Sequence, residues 1–226
     1  MKSTLLMIGG WAHPAEALRS LAAAVAEFAA PRLVAAHEPL PQLDSPAILL
    51  GWSLGGLRAL QAVATEPERW LGLVLIGSTP RFCSAPDWPH GVEPARVRAM
   101  KSALRKNPEA VLRQFFADVA APAQLAPAAS EEKVRAALML GNTTLAAGLD
   151  ELLDVDVRKA VVGMAKPTLV LHGREDRIIP CATGEWLAAQ FVFNRFVAFD
   201  NIGHDLPLNV PDKIGVELKL FLETLA

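Results

Sequence analysis

The chain has 226 residues, of which 52% are hydrophobic and 20% are charged, and its formal net charge is −2. This length suits one medium-sized domain with room for an inserted subdomain. The apolar composition suits a buried sheet and argues against a disordered chain, and the small net charge gives no sign of a nucleic-acid or membrane-surface binder. We therefore expect a globular domain whose partners include neither nucleic acid nor a membrane.

Two further features concern metal binding and the compartment. Cys83 and Cys181, the two cysteines of the chain, have no neighbours at metal-ligand spacing, so we expect ordinary thiols and no metal site. The apolar run at residues 5–8 is too short for a signal peptide or a membrane span, and two glycines follow it. With no export signal visible, the expected localisation is cytoplasmic.

Short apolar runs alternate with helical patterns over most of the chain, which is typical of βαβ units around a parallel sheet. The predicted strands are residues 4–8, 32–36, 47–50, 71–76, 168–171 and 195–199. The predicted helices are residues 15–29, 54–65, 184–190 and 211–225. The expected fold class is therefore α/β, with a mostly parallel sheet of about six strands and helices on both faces.

The stretch 81–163 interrupts this alternation. It lacks a strong strand signal, and apolar residues such as Leu112 and Phe115 recur in it at helical spacing. We therefore expect a helical cap at residues 81–163, inserted into a core formed by residues 1–80 and 164–226.

The sequence GWSLG at residues 51–55 matches the pattern G-x-S-x-G, which surrounds a reactive serine in many hydrolases. It follows one predicted strand and precedes a predicted helix, and the motif requires this strand–turn–helix context. Its glycines leave space for a tight turn, and the helix N-terminus favours developing negative charge. Ser53 is therefore the candidate nucleophile, and the alternative is a chance glycine-flanked serine in a βα turn.

A serine hydroxyl needs a base that a third group orients, and in such hydrolases the acid and then the histidine follow the serine along the chain. Asp176 lies in the loop after a predicted strand in a G-x-x-D pattern, which favours it over Glu175. Of the five histidines, His204 alone lies between the last predicted strand and the last predicted helix. The predicted catalytic residues are Ser53, Asp176 and His204.

An oxyanion hole needs two N–H donors that point at the developing alkoxide. One donor is expected from the backbone of Leu54, directly after the nucleophile. The other is expected from the backbone of Trp11, in the loop after the first strand. His13 follows closely in the same loop, where it either contacts substrate or packs at the rim.

Several stretches carry a more specific pattern, at residues 10–11, 51–57, 66–69, 78–82 and 87–89. The chain resembles the α/β-hydrolase superfamily throughout its length, and these stretches make it similar to the pimeloyl-[acyl-carrier protein] methyl ester esterases (BioH type). The resemblance implies an α/β-hydrolase fold and hydrolysis of the methyl ester on a pimeloyl chain carried by acyl carrier protein, in biotin biosynthesis. It also implies weaker action on short acyl esters.

The chain also departs from this family's pattern. The usual His-Gly after the first strand is Gly9-Gly10 here, and residues 37–46 are too short for the usual helix before the nucleophile strand. Because the chain begins almost at its first predicted strand, we expect a shortened sheet without the first two strands of the superfamily.

Three aromatic residues are expected to contact the acyl chain. Phe115 matches a family position that lines the acyl site, Trp52 precedes the nucleophile, and Trp11 lies near the expected cavity. Residues 96–113 carry six basic side chains and one acidic one, a local charge of +5. Acyl carrier proteins are acidic, so this basic part of the cap is expected to dock one. The alternative is an ordinary solvated helical surface.

The predicted function is that of a serine carboxylesterase that needs no metal or organic cofactor. Three alternatives stay open: a general short-chain carboxylesterase or a hydrolase of another acyl bond, a cofactor-free haloperoxidase-like or C–C-bond hydrolase, and a non-catalytic small-molecule binding module on the same fold. The presence of all three predicted triad residues argues against the binding module.

Overall fold

The computed structural model describes residues 2–225. Six strands form one sheet: β1 (Thr4–Ile8), β2 (Ala30–Val34), β3 (Ala47–Trp52), β4 (Trp70–Ile76), β5 (Thr168–Gly173) and β6 (Asn194–Phe199). They are all parallel and lie in the order β2-β1-β3-β4-β5-β6. The predicted α/β fold class and the sheet of about six strands are confirmed.

Ten α-helices occur among the described residues. They are α1 (Arg19–Val25), α2 (Leu54–Thr65), α3 (Pro94–Lys106), α4 (Pro108–Ala120), α5 (Pro127–Leu138), α6 (Asn142–Asp154), α7 (Arg158–Val161), α8 (Cys181–Ala188), α9 (Leu206–Asn209) and α10 (Pro211–Glu223). None of the helices within residues 2–225 is long and apolar enough to cross a membrane.

Helices cover both faces of the sheet, which explains why its four inner strands, β1, β3, β4 and β5, are mainly apolar runs. Successive side chains of a strand point to opposite faces. In β1, Leu5 and Met7 pack in one buried cluster with α1 and α10, whereas Leu6 and Ile8 pack in another with α2 and α8. Both clusters exclude water, so the sheet is a firm base for the loops at its carboxyl edge.

Helices α3 to α7 lie between β4 and β5, where the sequence predicts a helical cap. We call α3 to α7 the helical insertion. Its buried side chains form a third cluster together with Trp11, Leu54 and Leu57 of the sheet-bearing part of the chain. The insertion therefore packs over the carboxyl edge of the sheet, while the division of the chain into a core domain and a cap domain stays a prediction.

Two predicted elements differ in detail from the structure. Strand β2 ends at Val34, two residues before the predicted end, and begins at Ala30, whose amide donates to the carbonyl of Ser3. This pairing with the start of β1 means that the preceding helix cannot continue to residue 29. The predicted helix at 15–29 is instead a 3₁₀ turn at Ala15–Leu18 followed by α1.

Candidate active site

Ser53 lies in the turn between β3 and α2, with a backbone φ of 56°, a left-handed and therefore strained conformation. Two glycines make the turn possible. A Cβ on Gly51 would lie 2.4 Å from the carbonyl oxygen of Gly55, and a Cβ on Gly55 would lie 2.4 Å from the carbonyl oxygens of Ile8 and Gly9. The close packing of the turn against β1 holds the serine hydroxyl at the carboxyl edge of the sheet.

A chain of hydrogen bonds joins the three residues predicted to be catalytic. Nε2 of His204 lies 2.8 Å from Oγ of Ser53, and Nδ1 of His204 lies 2.7 Å from Oδ2 of Asp176. Oδ1 of the same carboxylate accepts hydrogen bonds from the backbone N–H groups of Ile178 and Ile179, at 2.8 and 2.9 Å. With an ionised acceptor beside it, Nδ1 carries the imidazole proton, and Nε2 can accept the proton of the serine hydroxyl.

The Asp176 carboxyl is buried, and burial alone would raise its pKa. The charges and hydrogen bonds of His204 and His172 outweigh burial, so its pKa lies below the usual value. Nε2 of His172 lies 3.3 Å from Oδ2 of Asp176 and donates to the carbonyl of Ile179 at 2.8 Å. Asp176 is therefore ionised at neutral pH and can stabilise an imidazolium at position 204.

Glu175, the alternative acid in the sequence, has a different role in the structure. Its carboxylate accepts a hydrogen bond from the backbone N–H of Ile202 at 3.0 Å. It therefore holds the chain just before the loop that carries His204, whereas Asp176 contacts the His204 ring itself.

The loop that carries His204 is fixed from two sides. The indole N–H of Trp52 donates to the carbonyl of His204 at 2.9 Å, and the amide of Asp205 donates to the carbonyl of Val119 at the end of α4 at 3.3 Å. Trp52 is fully buried and does not line the cavity above Ser53. The structure thus favours a role for Trp52 in support of the histidine loop, and its predicted substrate contact stays a prediction.

The two predicted oxyanion donors belong to segments beside Ser53: Leu54 follows it in the chain, and Trp11 follows Gly10. Gly10 packs so closely on the serine that a Cβ there would lie 3.3 Å from Cβ of Ser53, and this contact sets the path of the following loop. Within residues 2–225, neither the amide of Trp11 nor that of Leu54 donates a hydrogen bond to another protein group. Both amides are therefore available to an anionic oxygen formed at the serine.

The Trp11 side chain ties this loop to the helical insertion. Its indole N–H donates to the carbonyl of Leu145 in α6 at 2.8 Å, and its ring packs edge-to-face on Phe115 of α4 at a centroid distance of 4.7 Å. Gly148 lies against the indole, because a Cβ at that position would come within 2.6 Å of the ring. One residue thus offers a backbone donor to the site and joins it to two helices of the insertion.

A cavity of about 460 Å³ opens above Ser53, between the sheet edge and the helical insertion. Its wall is mainly apolar and includes Trp11 and Phe115, as the sequence predicts for substrate contacts. The other apolar side chains of the wall are Phe82, Val92, Val97, Met100, Ala110, Val111, Leu149, Leu152 and Ile178. Cavities of this volume and character bind small apolar ligands.

His13 does not line this cavity but a separate one of about 260 Å³ behind the Trp11 loop. Its Nδ1 donates to the carbonyl of Trp11 at 2.8 Å, and its ring packs on Trp52 with centroids 4.4 Å apart. Burial, with a contribution from the charge of Lys133, lowers the pKa of His13 to about 3. The structure thus favours packing over substrate contact for His13.

Sequence reasoning missed three charged residues of the cavity wall, Arg96 in α3, Asp118 in α4 and Arg177 after Asp176. Arg177 directly follows the predicted acid, so its position in the sequence could have indicated a place near the site. For Arg96 the sequence indicates only the general positive charge of residues 96–113. In the part of the chain that the structure describes, no three metal-ligating side chains lie together.

Comparison with known proteins places the chain in a family. Residues 27–209 match the family model described as alpha/beta hydrolase fold. The chain belongs to the α/β-hydrolase family. Among solved structures, it superposes on an esterase from Exiguobacterium antarcticum with a TM-score of 0.85 at 18% identity, over 98% of this chain and 92% of that one. It superposes on a bromoperoxidase from Bacillus anthracis with a TM-score of 0.87 at 18% identity, over 99% and 92%. At such identities these two structures show the shared fold alone.

Similar curated sequences are more specific. The pimeloyl-[acyl-carrier protein] methyl ester esterase of Aromatoleum aromaticum is 35% identical over 191 residues, which span 78% of this chain and 74% of that protein. The enzyme of the same name from Xylella fastidiosa (strain M12) is 38% identical over 61% of this chain and 55% of its own length. The resemblance stated from the sequence is confirmed, as is the predicted enzyme class, a carboxylic ester hydrolase.

Proposed function

We propose that this α/β hydrolase cleaves the methyl ester of a pimeloyl chain carried by acyl carrier protein, with Ser53 as nucleophile, His204 as base and Asp176 as the orienting acid. The observation that carries the proposal is the continuous hydrogen-bonded chain from Ser53 through His204 to Asp176 at the floor of an apolar cavity. The relatives that share up to 38% identity bear the name of this esterase.

The geometry supports acyl transfer in two steps. In the first, Oγ of Ser53 attacks the ester carbonyl while Nε2 of His204 takes the hydroxyl proton, and the amides of Trp11 and Leu54 hold the oxyanion. His204 then returns the proton to the departing methanol, which leaves an acyl-serine. In the second step a water molecule gives its proton to His204 and attacks the acyl carbonyl, which frees the acid and restores the serine.

The cavity favours an acyl chain as substrate, and the outer surface of the helical insertion favours an acidic carrier protein as partner. The aliphatic and aromatic wall suits a methylene chain. Besides Arg96 of the cavity wall, four basic side chains on α3 and α4 are exposed and form no ion pair with a described carboxylate, namely Arg98, Arg105, Lys106 and Arg113. Lys101, by contrast, is already paired with Asp150. Such an unpaired basic face attracts an acidic carrier.

Replacement of the nucleophile tests the proposal. Ser53→Ala should lower kcat on pimeloyl-[acyl-carrier protein] methyl ester by at least about 10⁴-fold, because no other group can form the acyl-enzyme. The measurement is release of methanol by the purified protein, with circular dichroism to check the fold. Ser20→Ala, an exposed serine of α1, is the matched control and should keep full activity.

Two outcomes would contradict the proposal. Undiminished turnover by Ser53→Ala would reject the nucleophile. A wild-type protein that cleaves short p-nitrophenyl esters but not the carrier-bound methyl ester would reject the substrate and favour a general carboxylesterase.

A further inference from the structure

Two arginine side chains line the cavity above Ser53 without a protein partner. Arg96 and Arg177 are both exposed and both contribute to the cavity wall. Neither guanidinium forms a hydrogen bond or an ion pair with any group in residues 2–225. Arg58 and Arg81, elsewhere on the protein, are each paired with a carboxylate. The two cavity arginines therefore keep their donors free for a ligand.

The two arginines lie on different elements, and each is followed by an apolar residue of the same cavity wall. Arg96 is in the first turn of α3 and precedes Val97, and Arg177 is in the loop after β5 and precedes Ile178. Because both arginines are exposed whereas Ser53 is buried, the positive charges lie at the opening and the serine lies at the floor. A ligand that fills this cavity shares its wall with both arginines.

One carboxylate, Asp118 of α4, also belongs to the wall. It accepts a hydrogen bond from the side-chain amide of Gln114 at 3.1 Å and lies beyond ion-pair distance of both arginines. The wall therefore carries two positive charges and one negative charge. Its low-dielectric apolar surface strengthens the net positive potential at the opening.

We propose that Arg96 and Arg177 form an anion-binding pair at the cavity opening, which selects esters that carry a negative charge at the end remote from the scissile bond. The inference rests on the proposed function, because it needs Ser53 to cleave an ester bound in this cavity. Guanidinium groups bind carboxylates and phosphates with paired hydrogen bonds. The anion is either the phosphate of a carrier's pantetheine arm or the free carboxylate of a small dicarboxylate monoester.

A pair of substrates that differ by one charge tests this selection. The methyl pimeloyl thioester of phosphopantetheine and that of pantetheine have the same acyl chain, and only the first carries a phosphate. The measurement is the ratio of their kcat/KM values for the wild type, Arg96→Gln, Arg177→Gln and the double variant. Arg19→Gln, an exposed arginine of α1, is the matched control.

The wild-type ratio should exceed one, and each substitution should lower it by about two- to fivefold, as expected for solvent-exposed ion pairs. The double variant should bring the ratio close to one, and Arg19→Gln should keep the wild-type ratio. Arg96→Lys and Arg177→Lys should retain most of the preference because they retain the charge. A wild-type ratio of one, or an unchanged preference in the double variant, would exclude the phosphate of the carrier arm as the anion. The inference is overturned if a pair of esters with and without a free carboxylate also shows no arginine-dependent preference.

A second substrate pair identifies the source of the anion. The monomethyl ester of pimelic acid carries a free carboxylate, and the methyl ester of the monocarboxylic acid of equal chain length does not. An arginine-dependent preference in this pair alone assigns the site to small dicarboxylate monoesters, and a preference in the thioester pair alone assigns it to the carrier arm. Preference in both pairs supports a general anion site.

Failure of this inference is distinguishable from failure of the proposed function. If the wild type cleaves none of these esters, the proposed function fails. If it cleaves charged and neutral esters equally well, only the anion-binding pair is rejected. If Arg177→Gln loses all activity because it adjoins Asp176, the wild-type ratio is measured at increasing salt concentration, and it should fall toward one because salt screens the charges. A ratio that does not change with salt rejects the anion-binding arginines.

Discussion

At the scale of single residues, Trp52 shows how a neighbour of the nucleophile contributes without touching substrate. Side chains in β3 alternate between the faces of the sheet, and Trp52 shares its face and its buried cluster with Ile48 and Leu50. Its ring therefore lies under the site, where the indole N–H holds the carbonyl of His204. We expect Trp52 to affect the placement of the base and not the binding of the acyl chain.

Trp52→Phe tests this role, because phenylalanine keeps an aromatic ring and lacks the N–H donor. Loss of one such hydrogen bond is worth about 1 kcal/mol, so kcat should fall by about fivefold while KM stays near its wild-type value. The measurement is steady-state kinetics on a short p-nitrophenyl ester. A rise in KM at unchanged kcat would restore Trp52 as a substrate contact.

The candidate site could be predicted largely from the order of residues along the chain. Ser53, Asp176 and His204 each follow a strand, and parallel strands bring the loops after them to one edge of the sheet. The position of Trp52 is harder to predict, because a residue next to the nucleophile in sequence need not face the cavity when the side chains of its strand alternate between the faces of the sheet. Arg96 could not be found, because the packing of α3 on the sheet edge is a tertiary property.

At the scale of elements, the end of α4 and the loop that carries His204 are packed without a gap. A Cβ on Gly203 would lie 1.8 Å from the carbonyl oxygen of Ala121, directly after α4. Val119, in the last turn of the same helix, accepts the hydrogen bond of the amide that follows His204. Helix α4 also carries Phe115 of the cavity wall, so one helix contacts both the substrate cavity and the histidine loop.

Gly203→Ala tests this contact. The added methyl group must push the loop away from α4, and this movement changes the distance between Nε2 of His204 and Oγ of Ser53. We expect kcat to fall by about 10²-fold, in line with the cost of a displacement of about 1 Å in an active site, and the Tm to fall as well. The measurements are ester hydrolysis and thermal unfolding.

Gly215→Ala in α10 is the matched control. A Cβ there meets Ala24 at an ordinary contact distance of 3.5 Å or more, so alanine should fit and should raise helix stability slightly. Equal activity of Gly203→Ala and the wild type would show that the histidine loop moves independently of α4.

Elements of the sheet were easier to predict than those of the insertion. The four inner strands, β1, β3, β4 and β5, appear as mainly apolar runs, because helices cover them on both sides, whereas the edge strands β2 and β6 carry Arg32 and Arg195. The helices of the insertion are amphipathic, and their sequence predicts helix starts but not their arrangement over Ser53. The helix predicted at 15–29 is too long because β2 begins at Ala30, and the amide of Ala30 pairs with the carbonyl of Ser3 in the chain before β1.

At the scale of the whole molecule, His13 lies buried in the packing between the sheet edge and the insertion, among Trp52, Phe115 and Phe116. Its pKa, lowered to about 3, differs from the value near 6.5 expected in an unfolded chain. The unfolded chain therefore binds a proton at this residue at a pH where the native protein does not. A difference of this sign makes the native state less stable as pH falls.

His13→Asn tests this linkage, since asparagine does not titrate and keeps a side-chain donor for the carbonyl of Trp11. The free energy contributed by neutral His13 is fully present above about pH 6.5 and should decline steadily to about pH 3, by on the order of 4 kcal/mol. The measurement is urea unfolding at a series of pH values. His13→Asn should show a smaller decline over this range than the wild type.

His37→Asn provides the comparison for the substitution itself: because His37 is exposed, its replacement should leave the free energy of unfolding at neutral pH equal to that of the wild type. Parallel curves for the wild type and His13→Asn would mean that His13 does not resist protonation in the native protein.

The bond between the Trp11 indole and Leu145 has a consequence for the timing of the reaction. Any outward swing of α6 either breaks this bond or draws the tryptophan with it, and the tryptophan's own amide is one of the two donors proposed for the oxyanion. In the second case, an ester that enters while α6 is displaced meets a serine that lacks one of its two proposed oxyanion donors. Turnover would then require α6 to return, so that closure of the cavity and completion of the oxyanion hole would be a single event.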